Sequence, residues 1–328
     1  MQKTSKKVFT KPFIIAILAV IALAIASVFT GAYDILKEGN STQMFFITRI
    51  PRTLALMLAA VAMSLSGIVM QLISQNKLVE PTTTGTIEWA SLGLLLVYVI
   101  IPNPSLFQRM TGAIIASFIG SMVFFYLLRN IKLKSSLFVP IVGIMLGAVI
   151  SAVSTFIGLE FNMTQVIEVW FQGSFAPIQR GRYEYLFVII LITIAIYRYA
   201  DKLTIAGLGE DITTNLGLDY NQIILRANIL IAIACGIVAA VIGNIPFLGL
   251  IIPNIVSLYR GDDLRANIPW VCLVSMIVML ASDILSRVII APFELPVSLI
   301  LGSAGSIIFI VILLNQRRFK IWKINLWR

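Results

Sequence analysis

Histidine is absent from this 328-residue sequence, and cysteine occurs only twice, at Cys235 and Cys272, each inside an apolar run. No zinc centre can be built from that inventory, no disulfide framework is expected, and both thiols read as small buried apolar side chains. Without histidine there is no Ser/His or Cys/His nucleophile pair, and no Gly-x-x-x-x-Gly-Lys-Ser/Thr loop occurs to cradle a nucleotide. Charge is sparse as well: 12% of the residues are charged, against about a quarter in soluble domains. The chain is therefore expected to hold no metal, to need no cofactor and to be no enzyme in its own right. Any uphill work must draw on another chain or on an ion gradient.

What the sequence does have is hydrophobicity, at 59% of its residues, gathered in long runs instead of amphipathic stripes. That pattern defines an all-α, polytopic membrane protein. Ten runs of roughly 13 to 22 residues are candidate spans, against the ~20 needed to cross the hydrocarbon core. They are Phe13–Gly31, Thr53–Ile73, Thr83–Ile101, Met110–Leu128, Phe138–Gly158, Tyr185–Tyr199, Gln222–Gly243, Phe247–Tyr259, Trp270–Ile290 and Pro296–Leu314. The eighth is too short to cross straight and is divided from the seventh by Gly243-Asn-Ile-Pro246. The first, behind Lys3, Lys6, Lys7 and Lys11, superficially resembles a signal peptide but is expected to be retained as a helix.

Orientation follows from charge. With the N-terminus inside and ten alternating spans, the inside segments collect Lys77, Arg129, Lys132, Lys134, Arg198, Lys202, Arg226, Arg260, Arg265, Arg317, Arg318 and Arg328 besides the terminal lysines. The outside keeps only Lys37, Arg49, Arg52, Arg109, Arg180, Arg182 and Arg287. The positive-inside rule then puts both termini in the cytoplasm, 1–12 at one end and 315–328 at the other, with a single membrane domain over 1–328. The net charge of +10 is scattered between apolar runs, so the acidic neighbours are lipid headgroups and no nucleic acid is expected. Two connections exceed a tight turn. Residues 160–184 lie outside, and the aromatics of Trp170–Pro177 suit a short interfacial helix. Residues 200–221 lie inside.

The stretch from Arg49 to Ser91 organises the rest. Arg49-Ile-Pro-Arg52 stands at the mouth of a small-residue span carrying Ser66-Gly67 and Met70-Gln71, which ends in a polar turn with Asn76 and Pro81. Charge and polarity carried into an apolar stretch are costly in lipid, which suggests a pathway more than an anchor. These residues resemble the permease subunit of iron–siderophore and cobalamin ABC importers, whose second span opens Arg-x-Pro-Arg and ends in an Asn-Pro-Leu-Ala-x-Pro turn. Lys77 replaces the first turn proline, and Thr82-Thr-Thr-Gly-Thr-Ile-Glu-Trp89 replaces a glycine-rich continuation. That departure resembles the subgroup serving catecholate-type siderophores such as petrobactin.

The resemblance extends from the first span to Leu314. A second stretch matches through Pro246, Phe247, Gly249, Leu250, Pro253, Gly261 and Asp262, with Asn254 where histidine is usual. The inside loop matches a coupling element through Gly209, Glu210, Leu216 and Gly217, with Thr213 in place of the usual central alanine. The resemblance implies a type II ABC importer permease in a bacterial cell membrane, working as a homo- or heterodimer. ABC ATPase subunits would dock on the coupling loop. An extracytoplasmic substrate-binding lipoprotein would dock on Arg49, Arg52 and Arg287, and the cargo would be a ferric siderophore. Asp283 precedes Arg287 by four residues, which also permits a structural ion pair.

Glu88 falls outside the resemblance. With Thr84 and Ser91 it forms a polar stripe at i, i+4 and i+7, which together with Gln71 is a candidate for the translocation path. The simpler reading is a shallow carboxylate reaching headgroup water or a basic partner such as Lys77. Two rival functions remain at this point. One is an ion-driven secondary transporter using Glu88, Asp283 or Glu294, and the other is a non-transporting membrane scaffold or enzyme subunit. Cobalamin and haem stay open as alternative cargoes.

Overall fold

In lipid every backbone N–H and C=O must be satisfied within the protein, and the described residues do this with helices alone. The computed structural model describes residues 10–31, 44–130, 138–165, 167 and 172–325. Its α-helices are α1 (Lys11–Phe29), α2 (Ile50–Ile73), α3 (Thr86–Ile100), α4 (Leu106–Asn130), α5 (Phe138–Glu160) and α6 (Val188–Ala206). They continue with α7 (Glu210–Asn215), α8 (Tyr220–Val241), α9 (Leu248–Arg260), α10 (Leu264–Val288) and α11 (Val297–Asn325). One π-turn, Phe45–Arg49, leads into α2, and one 3-10 turn, Tyr183–Phe187, leads into α6.

Each of the ten expected spans has a helix at its place, and α7 is the eleventh. Six segments are long and apolar enough to cross a membrane unaided: α1, Phe45–Ile73, α4, α5, α8 and α10. α3, α9 and the first half of α11 are shorter apolar helices. The chain is thus a multi-pass membrane protein. Two boundaries differ from the sequence expectation. α6 runs through Arg198, Asp201 and Lys202 to Ala206, so the connection expected over 200–221 narrows to Gly207–Asp219. α11 passes Leu314 and stays helical to Asn325, because its charged end carries no helix breaker. The N-terminal lysines before residue 10 lie outside the described residues, as do Trp170 and Phe171 of the expected interfacial helix; the rest of that stretch, 172–177, forms turns and irregular backbone instead of a helix.

α2 is the axis of the bundle. In the Phe45–Ile73 segment 83% of the most apolar window is buried inside the protein, against 17% for α1 and 22% for α5, whose apolar sides face outward. Its Ala55, Ala59, Ala60, Ala62, Ser64, Ser66 and Gly67 are small enough to let neighbours approach, and α6, α8, α9 and α10 all pack on it. At Gly67 the approach is closest. A side chain there would overlap the carbonyl of Gly249 in α9, and Gln71 Nε2 donates to that same carbonyl at 3.1 Å.

Between α2 and α3 the chain turns back into the bundle. Asn254 Nδ2 of α9 donates to the Lys77 carbonyl at 2.7 Å, and the Phe247 N–H donates to Glu80 Oε1 at 3.0 Å. Residues 77 to 80 therefore climb beside α9 over seven of its residues, roughly 10 Å at 1.5 Å per residue. Non-helical backbone is tolerated at that depth because Asn76, Val79 and Glu80 are all buried in protein. The two N-caps that start α8 and α10, Asp219 and Asp263, lie at the end of the bundle where α2 finishes.

Candidate functional site

Sequence-distant residues meet at both ends of α2, whose 24 residues separate them by roughly 36 Å. At the end where α2 begins, Arg49, Arg52 and Arg287 come together as the sequence suggested, around two carboxylates. Arg52 lays its Nε and Nη2 on Asp283 Oδ1 at 3.1 and 2.7 Å and its Nη1 on Glu294 Oε2 at 2.7 Å. The other oxygen of Asp283 pairs with Arg287 Nη2. Arg287 also donates to the Ser27 hydroxyl at 2.7 Å and to the carbonyls of Ser27 and Thr30 at 3.0 and 2.6 Å. Arg49 donates to the Thr30 carbonyl as well.

The fork of donors on guanidinium is what lets one residue serve several acceptors here. Arg287 closes the C-terminal end of α1, where the last carbonyls lack helical partners and attract positive charge. Its side chain is 1% exposed and that of Asp283 is 0% exposed, so this pair lies in the interior, whereas Arg52 is 12% and Glu294 29% exposed. The ion-pair reading of Asp283 and Arg287 is correct, and it extends to Arg52 and Glu294. Asp283 and Glu294, weighed as ion-binding carboxylates for a secondary transporter, are both engaged by arginine.

Of the four candidate path residues, the expected stripe does not form. Gly85, with φ of 78°, caps α3 in the left-handed region, so Thr84 sits on the preceding turn and not on the helix. Its hydroxyl is spent on the Glu80 and Pro81 carbonyls at 3.2 and 3.1 Å, and Gln71 on α9. Ser91 is buried within α3. Glu88 occupies the first turn of α3, where the helix dipole favours a carboxylate. It packs against Gly147 of α5, where a Cβ would stand 3.3 Å from its carboxyl carbon, and its Oε2 has no hydrogen-bond partner among the described residues. Lys77 is not its partner: the ammonium pairs with Asp262 at 2.9 Å and accepts no role at α3.

Glu80 is the buried carboxylate that sequence reasoning missed. It is 1% exposed and accepts from the Thr82 hydroxyl at 2.6 Å as well as from Phe247 N–H. Phe247 holds φ of 64°, unusual for a bulky residue, at the N-terminus of α9. Glu80 thus caps the broken helix. A carboxylate in the string Asn-Lys-Leu-Val-Glu-Pro reads as a solvated turn, and no local signal reveals a partner 167 residues away. Asn254, where the resemblance led one to expect histidine, uses its amide to join α9 to the climbing segment.

At the other end of α2, the connection Gly207–Asp219 folds as a knob around the short helix α7. Gly209 and Gly217 hold φ of 111° and 76° and frame it. Thr213 is fully buried and returns its hydroxyl to the Gly209 carbonyl at 2.6 Å, which explains how threonine fits where alanine is usual. Glu210 pairs with Arg129 of α4 at 2.8 Å, tying the knob to the bundle. Leu208, Ile212 and Leu216 are 59%, 46% and 61% exposed, an apolar patch on an otherwise polar end. Beside the knob opens a cavity of about 970 Å³, bordered by Gln75, Lys77, Asp201, Leu208, Asp262 and Arg265.

The chain matches the model of the FecCD transport family over residues 14–315. It is 65% identical to the petrobactin import system permease protein FatD of Bacillus anthracis, over 95% of this chain and 93% of that protein. It is 39% identical to the petrobactin import system permease protein YclN of Bacillus subtilis, over 91% of this chain and 96% of that one. Among solved structures, a chain described as a metal-chelate type ABC transporter in an inward-facing conformation superposes with a TM-score of 0.80. It covers 94% of this chain and 100% of its own at 24% identity, which establishes the shared fold. With the helix order, the paired arginines and the knob on one continuous match, the chain belongs to the FecCD transport family.

Proposed function

We propose that this chain is the membrane permease of an ABC importer that takes up a ferric siderophore, with ferric petrobactin as the cargo. The observation that carries this reading is the 65% identity, over nearly the full length of both chains, to a permease named for petrobactin import. The iron travels inside its chelator, so the permease needs no metal ligands of its own. It is a transport subunit, and ATP hydrolysis belongs to its partners. The test is uptake of radio-iron-labelled ferric petrobactin in a strain deleted for this gene. Uptake should vanish and return on complementation, while an unrelated hydroxamate siderophore is unaffected. Unchanged petrobactin uptake in the deletion strain would end the assignment.

The two ends of α2 then divide the work. The arginine cluster faces outward and receives the carboxylates of a substrate-binding lipoprotein. Both termini and the α7 knob face the cytoplasm. Arg49 and Arg52 make the outer contact, and Arg287 supports it from beneath as the buried partner of Asp283. A second permease subunit covers outward-facing apolar sides of the bundle, and the cargo passes between the two. Glu88 is the path residue we retain, since its Oε2 has no hydrogen-bond partner among the described residues and a carboxylate there would disfavour anionic cargo from resting. Gln71, Thr84 and Ser91 support the wall behind it.

For the ATPase, the exposed Ile212 and Leu216 on the framed knob supply an apolar face of the kind that docks in a groove. Leu216→Asp is expected to weaken binding of the ATPase subunit by roughly ten- to a hundredfold, read as lost co-purification, since losing a buried apolar anchor costs about 1.5–3 kcal/mol. Gly217→Trp should act similarly, because φ of 76° is a left-handed conformation that side chains resist. Normal co-purification with normal uptake in both variants would place the ATPase elsewhere.

A further inference from the structure

The motif arginines are not where free positive charge is found. Arg287 is consumed by Asp283 and the end of α1, Arg52 by Asp283 and Glu294, and Arg49 by the Thr30 carbonyl. Arg109 donates to the Tyr98 hydroxyl at 2.7 Å and lies against its ring. Arg180 and Arg182 differ from all of these. Both are exposed, and neither side chain makes an ion pair or hydrogen bond among the described residues. The nearest carboxylate in sequence, Glu184, is occupied by the Gly181 N–H, which it accepts at 2.8 and 2.9 Å.

Their place in the fold is equally specific. The Arg180 N–H donates to the Ile47 carbonyl at 2.9 Å, which seats the turn on the π-turn that carries Arg49. The chain leading to it is anchored across the same end of the bundle. Ser298 at the start of α11 donates to the Gln172 carbonyl, and Gly173 lies against the Asn244 carbonyl in the break before α9. Phe175 and Ile178 are buried in the core below. Residues 172–182 therefore run across the end face of the bundle instead of around its lipid-facing rim. Two unpaired guanidinium groups on an end face meet whatever arrives along the membrane normal.

We propose that the Arg180-Gly181-Arg182 turn is a second docking element for the substrate-binding protein, taking a carboxylate on that protein beside the one met by Arg49 and Arg52. This rests on the permease reading above. The paired motif arginines supply a rigid, nearly neutralised floor. The free pair in the turn supplies the long-range attraction that steers an acidic partner. Exposed charges of this kind act mostly on association rate and its salt dependence.

The experiment places the permease complex in nanodiscs and follows its association with the binding protein of the same import system, produced without its lipid anchor, as ionic strength is varied. Arg180→Gln with Arg182→Gln is expected to slow association roughly tenfold at low salt and to flatten the salt dependence. Arg180→Lys with Arg182→Lys should stay near wild type. A parallel variant, Arg49→Gln with Arg52→Gln, separates the two ideas and leaves Asp283 paired with Arg287. If the parallel variant slows association and the glutamine turn variant does not, the turn is no docking element and the arginine-cluster reading stands. If neither changes it, both fall. If the lysine turn variant loses as much as the glutamine one, charge is not the cause and the proposal fails. A loss confined to nanodiscs containing anionic lipid, absent in purely zwitterionic ones, would assign the turn to lipid headgroups and overturn it.

Discussion

Asp283→Asn should destabilise the folded permease by about 3–5 kcal/mol, the cost of leaving a buried charge without its partner. The carboxylate is fully buried, and both of its oxygens hold arginines, one from α2 and one from its own helix. Asparagine keeps the shape but cannot neutralise Arg287, which then remains charged in the interior among the carbonyls of Ser27 and Thr30. Unfolding of purified protein in lipid bicelles measures the loss. A double variant, Asp283→Leu with Arg287→Leu, should recover much of it, since apolar replacement of a whole buried pair is often neutral. Arg52 keeps Glu294 in that background. If Asp283→Asn unfolds at the wild-type midpoint, the pair is not the strut that joins α1, α2 and α10. The reciprocal control, Glu294→Gln, removes a partly exposed partner and should cost no more than about 1 kcal/mol.

Gly67→Leu is expected to abolish uptake while the protein still inserts. At this point α2 and α9 touch backbone to backbone, so the new side chain meets the Gly249 carbonyl and not a neighbour that can rotate away. Overpacking of a tight core costs about 1–3 kcal/mol, and a backbone obstacle puts this site at the upper end. The displacement also breaks the Gln71 bond to Gly249 and pulls α9 from the Glu80 cap. Gly249→Ala approaches the same contact from the other side, where its Cβ would lie 2.8 Å from the Met63 carbonyl. Uptake assays at matched expression, with thermal unfolding of the purified variants, check both. Wild-type import by Gly67→Leu would mean that the two helices do not meet here in the working protein.

Both variants act on contacts between segments far apart in sequence, and this is where sequence reading stops. Hydropathy is a property of consecutive residues, so the spans were legible and even the weak eighth helix was found from the Gly-Pro break before it. Arg49, Arg52 and Arg287 were legible as a group through their motif. Their burial was not, because exposure depends on what packs above a side chain. Thr84, Glu88 and Ser91 failed as a stripe because helical spacing was counted through Gly85, whose left-handed φ of 78° starts α3 one residue later. Lys77 found Asp262 instead of Glu88 because the chain between α2 and α3 climbs along α9.

The sequence by itself determined that this is a helical membrane protein, and which family's motifs it carries. Each of those follows from composition, from run length against bilayer thickness, or from short local strings. Only the tertiary structure decided which charges are free. Glu80 was drawn in to cap a helix that begins at residue 248, Arg287 was consumed in the interior, and Arg180 and Arg182 were left open on the end face. A charge in a protein is satisfied by whatever surrounds it in space, and in a bundle of this size those surroundings come from other helices.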